Sequence, residues 1–464
     1  MRGVRIVQGT LVLTQSIFSE FVAAAKHPLE TGGVLLARIV PDDAGNAKLL
    51  ARSMHWIAED DYGVRSATEL RVASEVYVKA LAEAEKNSEI GIWVHTHPNC
   101  SPPLPSKMDL AVDTQIADVF RIRTGSNYYG SLILSETPDG FSFTGKLQTA
   151  TEEKALTRIF TVGERWALQK AFESGHVSRD LMFDRNIRAF GPAIQRMIGD
   201  LTIAIVGTGG TGSAVAEQLV RLGVRKLILI DPDIVSESNV TRLYGSTPAD
   251  VGMPKVQVVR AHLKRIAPSL ECETIQGMIT NRAIALKLTS ADVVFGCSDD
   301  NAGRIVLSRL STYFIIPVID CGVLLASDPN GQLTDINGRI TTMTPGAACM
   351  ICRGRVDLIR ARSESLTPDE RVRLENEGYA PVLGRAEPAV VTFTTSVAAF
   401  AVTELLERLI GFGPEPRPTE MIVRFHDREI STNLAEPVGR HFCNPLQGKI
   451  GKGITEPFLE QVWS

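Results

Sequence analysis

An apolar run, Leu201 to Val206 (LTIAIV), ends directly in Gly207-Thr208-Gly209-Gly210-Thr211-Gly212-Ser213, and a helical stretch from Ser213 to Leu222 follows. A buried strand, a glycine-rich turn and a helix in that order open a doubly wound α/β sheet. The glycines let the backbone approach a ligand, and the helix N-terminus favours negative charge. Lys226 to Ile230 (KLILI), Val293-Val294-Phe295 and Val318-Ile319 continue the alternation, as a parallel sheet requires. At 464 residues the chain is too long for one core, so a second domain is expected before this one.

That earlier part mixes element types. Glu89 to His97 (EIGIWVHTH) reads as a buried strand. Ser66 to Lys86 carries Leu70, Ala73, Tyr77, Leu81 and Ala84 at helical spacing and predicts a helix. Tyr128–Leu134 and Phe141–Leu147 flank Pro138-Asp139-Gly140, a hairpin signature. Residues 1–148 therefore read as an α+β domain and 149–181 as a polar, helical linker. Residues 182–412 read as the doubly wound domain and 413–464 as its carboxyl-terminal extension.

Bulk properties exclude several classes. With 44% hydrophobic and 22% charged residues the chain is globular. A net charge of −4 without a Lys/Arg run gives no case for nucleic acid or an anionic membrane. Apolar stretches are interrupted within a few residues, Met1-Arg2-Gly3-Val4 has no leader character, and seven cysteines do not read as a disulfide framework. A cytoplasmic protein is expected.

Two sets of residues carry chemistry. In the first, His95 and His97 sit two apart at a strand end and leave the same face, so both imidazoles can reach one ion. Asp109 could supply a third ligand, leaving a position open for water as in a catalytic zinc site. Glu30 is the candidate to accept the proton of that water. Ser106, at the expected start of a helix behind Pro105, could donate to a developing oxyanion. In the second set, Asp231 ends the strand after the glycine loop, where an acid can bond a ribose. That much would also describe a dinucleotide site. Asn239, Arg242, Lys255 and Asp299 break the tie, because cations around phosphates suit transfer of a nucleotidyl group to a carboxylate. Asp299 would hold magnesium, and Asp300 beside it could share that role.

The first set resembles the JAMM (MPN+) metalloproteases: a glutamate, His95-Thr96-His97-Pro98 and Ser106-Lys107-Met108-Asp109 occur in order. The resemblance implies a cytidine-deaminase-like fold, zinc on His95, His97 and Asp109, and Glu30 as catalytic base. Eight residues separate His97 from Ser106, one more than the family usually has, and we read a small loop insertion around Cys100-Ser101-Pro102-Pro103.

From about Phe183 to Gly411 the chain is similar to the E1/ThiF/MoeB family of enzymes that activate ubiquitin-like proteins. That resemblance implies ATP and magnesium, phosphate contacts from Gly207, Gly209, Gly210 and Gly212, and family positions for Asp231, Asn239, Arg242, Lys255, Asp299 and Arg304. Arg185, within Phe183-Asp184-Arg185-Asn186-Ile187-Arg188, would reach the nucleotide across a homodimer interface. Cys349-Met350-Ile351-Cys352 resembles half of the family's structural zinc motif, and His441-Phe442-Cys443 offers further ligands. Isolated thiols remain the alternative there, and Cys100 reads as incidental. No thioester cysteine is assignable.

The whole looks like a bacterial JAB–E1 fusion. By that resemblance one half adenylates the C-terminus of a β-grasp, ubiquitin-like protein, and the other hydrolyses a peptide or isopeptide bond after it. An E2-like partner would follow, and antiviral defence would be a compatible setting. The rival is processing of a ThiS- or MoaD-like sulfur carrier.

Overall fold

The computed structural model describes residues 8–42, 45–138, 140–171, 181–328, 330, 332–366, 370, 373 and 389–463. By its contacts the chain divides into two units, residues 1–178 with 451–454, and residues 179–450 with 455–464.

In the first unit the elements run β1 (Gly9–Thr14), α1 (Gln15–Ala25), β2 (Gly32–Pro41), β3 (Ala47–Trp56), β4 (Tyr62–Arg65), β5 (Leu70–Val72) and α2 (Val78–Asn87). They continue with β6 (Ile90–Thr96), α3 (Lys107–Thr124), β7 (Tyr129–Thr137), β8 (Gly140–Gln148), β9 (Glu153–Val162) and β10 (Ala167–Lys170). The main sheet has the order β1-β3-β2-β6-β7-β8-β9-β10, and β1 also pairs with β9, which closes it on itself. Every residue of β6 is buried, because helices cover both faces of that strand. Ile90, Ile92 and Val94 pack in the cluster that holds Ile17 and Phe21 of α1. Trp93 joins Leu81 of α2 and Phe120 of α3 on the opposite face. Strand alternation then sends His95 to the side from which α3 approaches.

Two expectations fail here. The stretch Ser66–Lys86 is not one helix: β4 and β5 form a hairpin, pairing Tyr62 with Val72 and Arg65 with Leu70. A 3₁₀ turn (Ser74–Tyr77) follows, and only Val78–Asn87 is α-helical. The closing contact Ser66 N–H to Glu69 O satisfies the backbone in an extended register that the periodicity of Leu70 and Ala73 concealed. Residues 149–171 of the expected linker are not helical either. β9 pairs with β1 and β8, and β10 with β9, so the sheet runs on to Lys170. Leu156, Ile159, Phe160, Val162 and Trp166 are buried among charged neighbours, and closure of the sheet supplies the pairing that local pattern could not show. Residues 172–180 of that stretch, and Asp139 of the hairpin turn, lie outside the described residues.

The second unit begins with α4 (Asp184–Asp200), β11 (Thr202–Val206), α5 (Gly210–Leu222), β12 (Lys226–Ile230), α6 (Lys255–Ile266), β13 (Glu271–Ile275) and α7 (Arg282–Lys287). Then come β14 (Val293–Gly296), α8 (Asn301–Phe314), β15 (Val318–Ser327), β16 (Leu333–Met343), α9 (Leu358–Glu364), α10 (Val391–Ile410), β17 (Glu420–Arg424) and β18 (Glu429–Asn433). The sheet order is β13-β12-β11-β14-β15-β16-β17-β18. It is parallel from β13 to β15 and antiparallel beyond, with β17 and β18 drawn from the carboxyl-terminal extension. The strand order turns outward in both directions from β11 and β14, and the crevice at their carboxyl ends is where such sheets bind ligands. Among the described residues no helix is long and apolar enough to cross a membrane.

Candidate functional site

At the end of β6, pairing brings together residues far apart in sequence. Gly32 at the start of β2 lies opposite His95, which carries Glu30 to the strand's end. Backbone contacts fix that approach: Thr96 N–H donates to Thr31 O (3.0 Å) and Glu30 N–H to Ser66 O (2.7 Å). Asp109 arrives from α3, whose start is a reciprocal cap. Ser106 Oγ accepts Asp109 N–H (3.1 Å), and Ser106 N–H donates to Asp109 Oδ2 (2.6 Å). The extra residue between His97 and Ser106 is absorbed in the loop, where Cys100 N–H donates to Ser135 Oγ (3.2 Å).

His95 Nε2 lies 3.3 Å from Asp109 Oδ1, and His97 Nε2 lies 3.3 Å from Asp109 Oδ2 and 4.0 Å from Glu30 Oε1. The His95 ring is buried, yet neither of its nitrogens makes a hydrogen bond, although Asp109 is within reach. A buried imidazole with no well-formed hydrogen bond is costly, and its ring faces the same point as His97 and Asp109. Ligand atoms of the three residues lie within 4.8 Å of one another, so the donor set fits a zinc ion. Burial resists ionisation of Asp109, but the two histidines and Ser106 outweigh it and hold the carboxyl well below the usual range. Burial, by contrast, raises the Glu30 carboxyl against the opposing pull of His97 and His95. Two carboxylates with divided pKa values suit a ligand and a proton carrier respectively.

The second site is a cavity of about 1100 Å3 at the carboxyl ends of β11, β12 and β14 and against the middle of β15. Gly207, Gly209 and Gly210 line it, with Asp231, Asn239, Arg242, Lys255, Asp299 and Arg304. Gly207 has φ +88°, and a Cβ there would meet the backbone of Cys297 and Ser298 at 2.8 Å. Gly212 does not line the cavity; its Cβ would sit 1.8 Å from Gly207 O, so its role is to let α5 close on the loop. Gly209 faces open space instead, and a Cβ there would have no protein atom within 4 Å. The stem of Arg242 crosses Gly210, whose Cβ would meet Arg242 Cδ at 3.2 Å.

Asp231 is buried and ties down the loop: its carboxylate accepts from Thr208 N–H (2.6 Å) and Asp233 N–H (2.9 Å). Lys255 Nζ donates to the exposed Asp233 (2.7 Å), a pair that phosphate oxygens would compete for. Asp299 is exposed within the cavity. Asp300 lines the same cavity, but one of its carboxylate oxygens is engaged elsewhere. It caps α8, its Oδ2 accepting Gly303 N–H at 2.5 Å. Arg185 is exposed in the first turn of α4 and does not line the cavity of its own chain. Sequence reasoning missed Asp320, a buried acid near the start of β15, opposite Gly296 at the end of β14, held between Arg304 (3.4 Å) and Arg339 (3.1 Å). Its place just beyond Val318-Ile319 was the available signal.

A third cluster joins residues about ninety positions apart. Cys349 Sγ lies 3.5 Å from His441 Nδ1, Cys352 Sγ 3.5 Å from Cys443 Sγ, and His441 Nδ1 3.3 Å from Cys443 Sγ. All four donor atoms fall within 4.8 Å of one another, a three-sulfur, one-nitrogen set that fits structural zinc. Hydrogen bonding from Cys443 pulls the Cys349 thiol down to about 6 against burial, towards the thiolate that a metal needs.

Fold and sites together define a chain that joins a His-His-Asp domain to a doubly wound domain with a glycine-lined, cation-rich crevice. Residues 183–438, more than half of the chain, match the ThiF family, and the chain belongs to it. Residues 14–144 match prokaryotic homologs of the JAB domain, so this is a fusion of a JAB domain with an E1-like domain. The chain is 31% identical over 180 residues to molybdopterin-synthase adenylyltransferase of Escherichia coli (strain K12), covering 38% of this chain and 68% of that protein. It is 26% identical over 175 residues to the SAMP-activating enzyme E1 of Haloferax volcanii (38% and 60%). It is 30% identical over 241 residues to ubiquitin-like modifier-activating enzyme 5 of Caenorhabditis briggsae (48% and 51%). The chain thus spans little more than half the length of the archaeal and nematode proteins. A crystal structure of E. coli MccB aligns with a TM-score of 0.44 at 18% identity, over 57% of this chain and 73% of that one.

Proposed function

We propose that this chain acts at the carboxyl terminus of a ubiquitin-like, β-grasp protein, adenylating it in the ThiF half and cutting after it in the JAB half. The observation that carries the reading is the crevice in which the α5 N-terminus, Arg242, Lys255 and Asp299 converge. In that crevice a carboxylate oxygen attacks the α-phosphate of ATP, the bond to pyrophosphate breaks, and an acyl adenylate remains. The α5 amides and Arg242 stabilise the phosphates, and Lys255 leaves Asp233 to join them. Magnesium on Asp299 would neutralise phosphate charge. In a homodimer, Arg185 would complete the nucleotide site of the other protomer.

In the JAB half, zinc on His95, His97 and Asp109 would supply Lewis acidity and an acidified water. Glu30, with its raised pKa, accepts a proton and returns it to the leaving amine. Ser106 accepts from Asp109 N–H through its oxygen, so its O–H retains the capacity to donate to the oxyanion. An E2-like protein is the partner expected to receive the activated carrier. The second reading is that the carrier serves sulfur transfer; the E. coli relative is named an adenylyltransferase of molybdopterin synthase.

ATP–pyrophosphate exchange tests the reading. A β-grasp protein with a free C-terminus should stimulate exchange, and the same protein with an amidated C-terminus should not. Equal rates with both would refute it. Glu30→Gln should keep its zinc and lose cleavage of a carrier fusion. Onward transfer to an amine rather than to a sulfur donor separates the two carrier classes.

A further inference from the structure

We infer that Asp113 is a positioning residue for the JAB metal site, holding the first turns of α3 so that Asp109 meets His95 and His97; the inference rests on the zinc reading above.

Asp109, Asp113, Ala117, Phe120 and Thr124 fall on one stripe of α3 by helical spacing. The buried side chains of the helix are Asp113, Ala117, Phe120 and Thr124, and the apolar Met108, Leu110, Val119 and Ile122 face outward. Its carboxyl-terminal half is therefore seated by packing: Phe120 stands edge-on to Tyr129, centroids 5.2 Å apart. Its amino-terminal half has one buried side chain, Asp113, and that half bears the metal ligand.

Asp113 is anchored from two strands. Tyr129 Oη donates to Oδ1 at 2.7 Å, Ser131 Oγ to Oδ2 at 3.0 Å, and Lys146 Nζ lies 3.1 Å from Oδ2. Tyr129 and Ser131 belong to β7, which pairs in parallel with β6: Trp93 lies opposite Ser131 and His95 opposite Ile133. The carboxylate thus ties α3 to the strand next to the one that carries both histidines. A charge buried at this depth is retained only where donors satisfy it, and charge-assisted bonds to three groups define a position more sharply than a methyl contact. The cap by Ser106 orders the helix start locally but bonds only to Asp109 itself. Apart from the contacts of Asp109 with the two histidines, the Asp113 cluster is the buried side-chain anchor between that start and the sheet among the described residues.

Zinc affinity of the full chain, measured by chelator competition, tests this. The relevant zinc equivalent is the one that His95→Ala lacks, which separates it from zinc on the cysteine cluster. Asp113→Ala should weaken that equivalent about 10- to 100-fold and alter the visible d–d bands of the cobalt-substituted protein, while near-UV circular dichroism stays native. The Tyr129→Phe/Ser131→Ala double variant keeps the carboxylate and should weaken zinc binding by a smaller factor, and it decides the matter if Asp113→Ala does not fold. A purely structural role would lower the melting temperature and leave both zinc affinity and the cobalt spectrum unchanged. Affinity within twofold of wild type in the folded variants would overturn the inference. Wild-type protein lacking any His95-dependent zinc would instead overturn the metal reading itself.

Discussion

Gly212→Ala is the most discriminating single change in the adenylation half. Its Cβ would sit 1.8 Å from Gly207 O and 2.9 Å from Gly207 C. Ordinary contact between such atoms is about 3.5 Å, so the loop and α5 must part by roughly 1.5 Å. Inside a helix, alanine for glycine would otherwise gain about 1 kcal/mol. Overpacking against backbone costs about 1–3 kcal/mol, so the net effect on stability is modest. The effect on catalysis is not, since a misplacement on the order of 1 Å costs about 100-fold, or roughly 2.7 kcal/mol of barrier. Gly209→Ala is the matching control. Its φ of −69° is one that alanine adopts, and its Cβ meets no protein atom within 4 Å. It should melt within a few degrees of wild type yet raise KM for ATP, because the methyl projects into the phosphate space. Carrier-dependent ATP–pyrophosphate exchange and thermal melts read both variants, with cleavage by the JAB half as an internal reference. Exchange by Gly212→Ala within threefold of wild type would refute the close-packing argument. An unchanged KM in Gly209→Ala would refute the phosphate-facing one.

Asp299→Ala should lower exchange by orders of magnitude in kcat while zinc-dependent cleavage persists. Asp300→Ala should instead cost about 1 kcal/mol of stability through the lost α8 cap, and the reverse pattern in melts and exchange would exchange the two roles. Cys352→Ser should remove one zinc equivalent by elemental analysis and lower the melting temperature, because a structural metal contributes folding free energy; unchanged zinc content would disprove the third cluster. Burial opposes ionisation of Glu420, but Arg355 (2.9 and 3.1 Å) and Asn433 (2.8 Å) prevail and hold its carboxyl at about 2 against an ordinary 4.5. A carboxylate depressed in the folded state stabilises above its unfolded pKa and loses that contribution as pH falls towards the folded one. The gain is about 3 kcal/mol at neutral pH. In urea titrations Glu420→Gln should therefore fall below wild type at pH 7, with the gap closing between about pH 4.5 and 2, and a pH-independent gap would contradict it.

The residues from Leu201 to Leu222 announced their own structure, because a strand, a glycine turn and a helix start are set by neighbours in sequence. The same holds for Ser106 and Asp109, whose reciprocal cap spans three residues, and for β6, whose apolar run needs no partner to be recognised. Local pattern failed where pairing across the chain outweighed it. β9 and β10 exist because the first sheet closes on β1, and Leu70 joined a hairpin rather than a helix. Glu30 meets His97 only because β2 lies antiparallel to β6, and Cys349 meets Cys443 only after the second sheet has folded. That Asp300 caps α8 while Asp299 does not follows from where the helix starts. Periodicity and motif order report contacts along the chain. Which carboxylate faces a metal, which caps a helix and which anchors one to a sheet depends on contacts between segments, and those exist only in the tertiary structure.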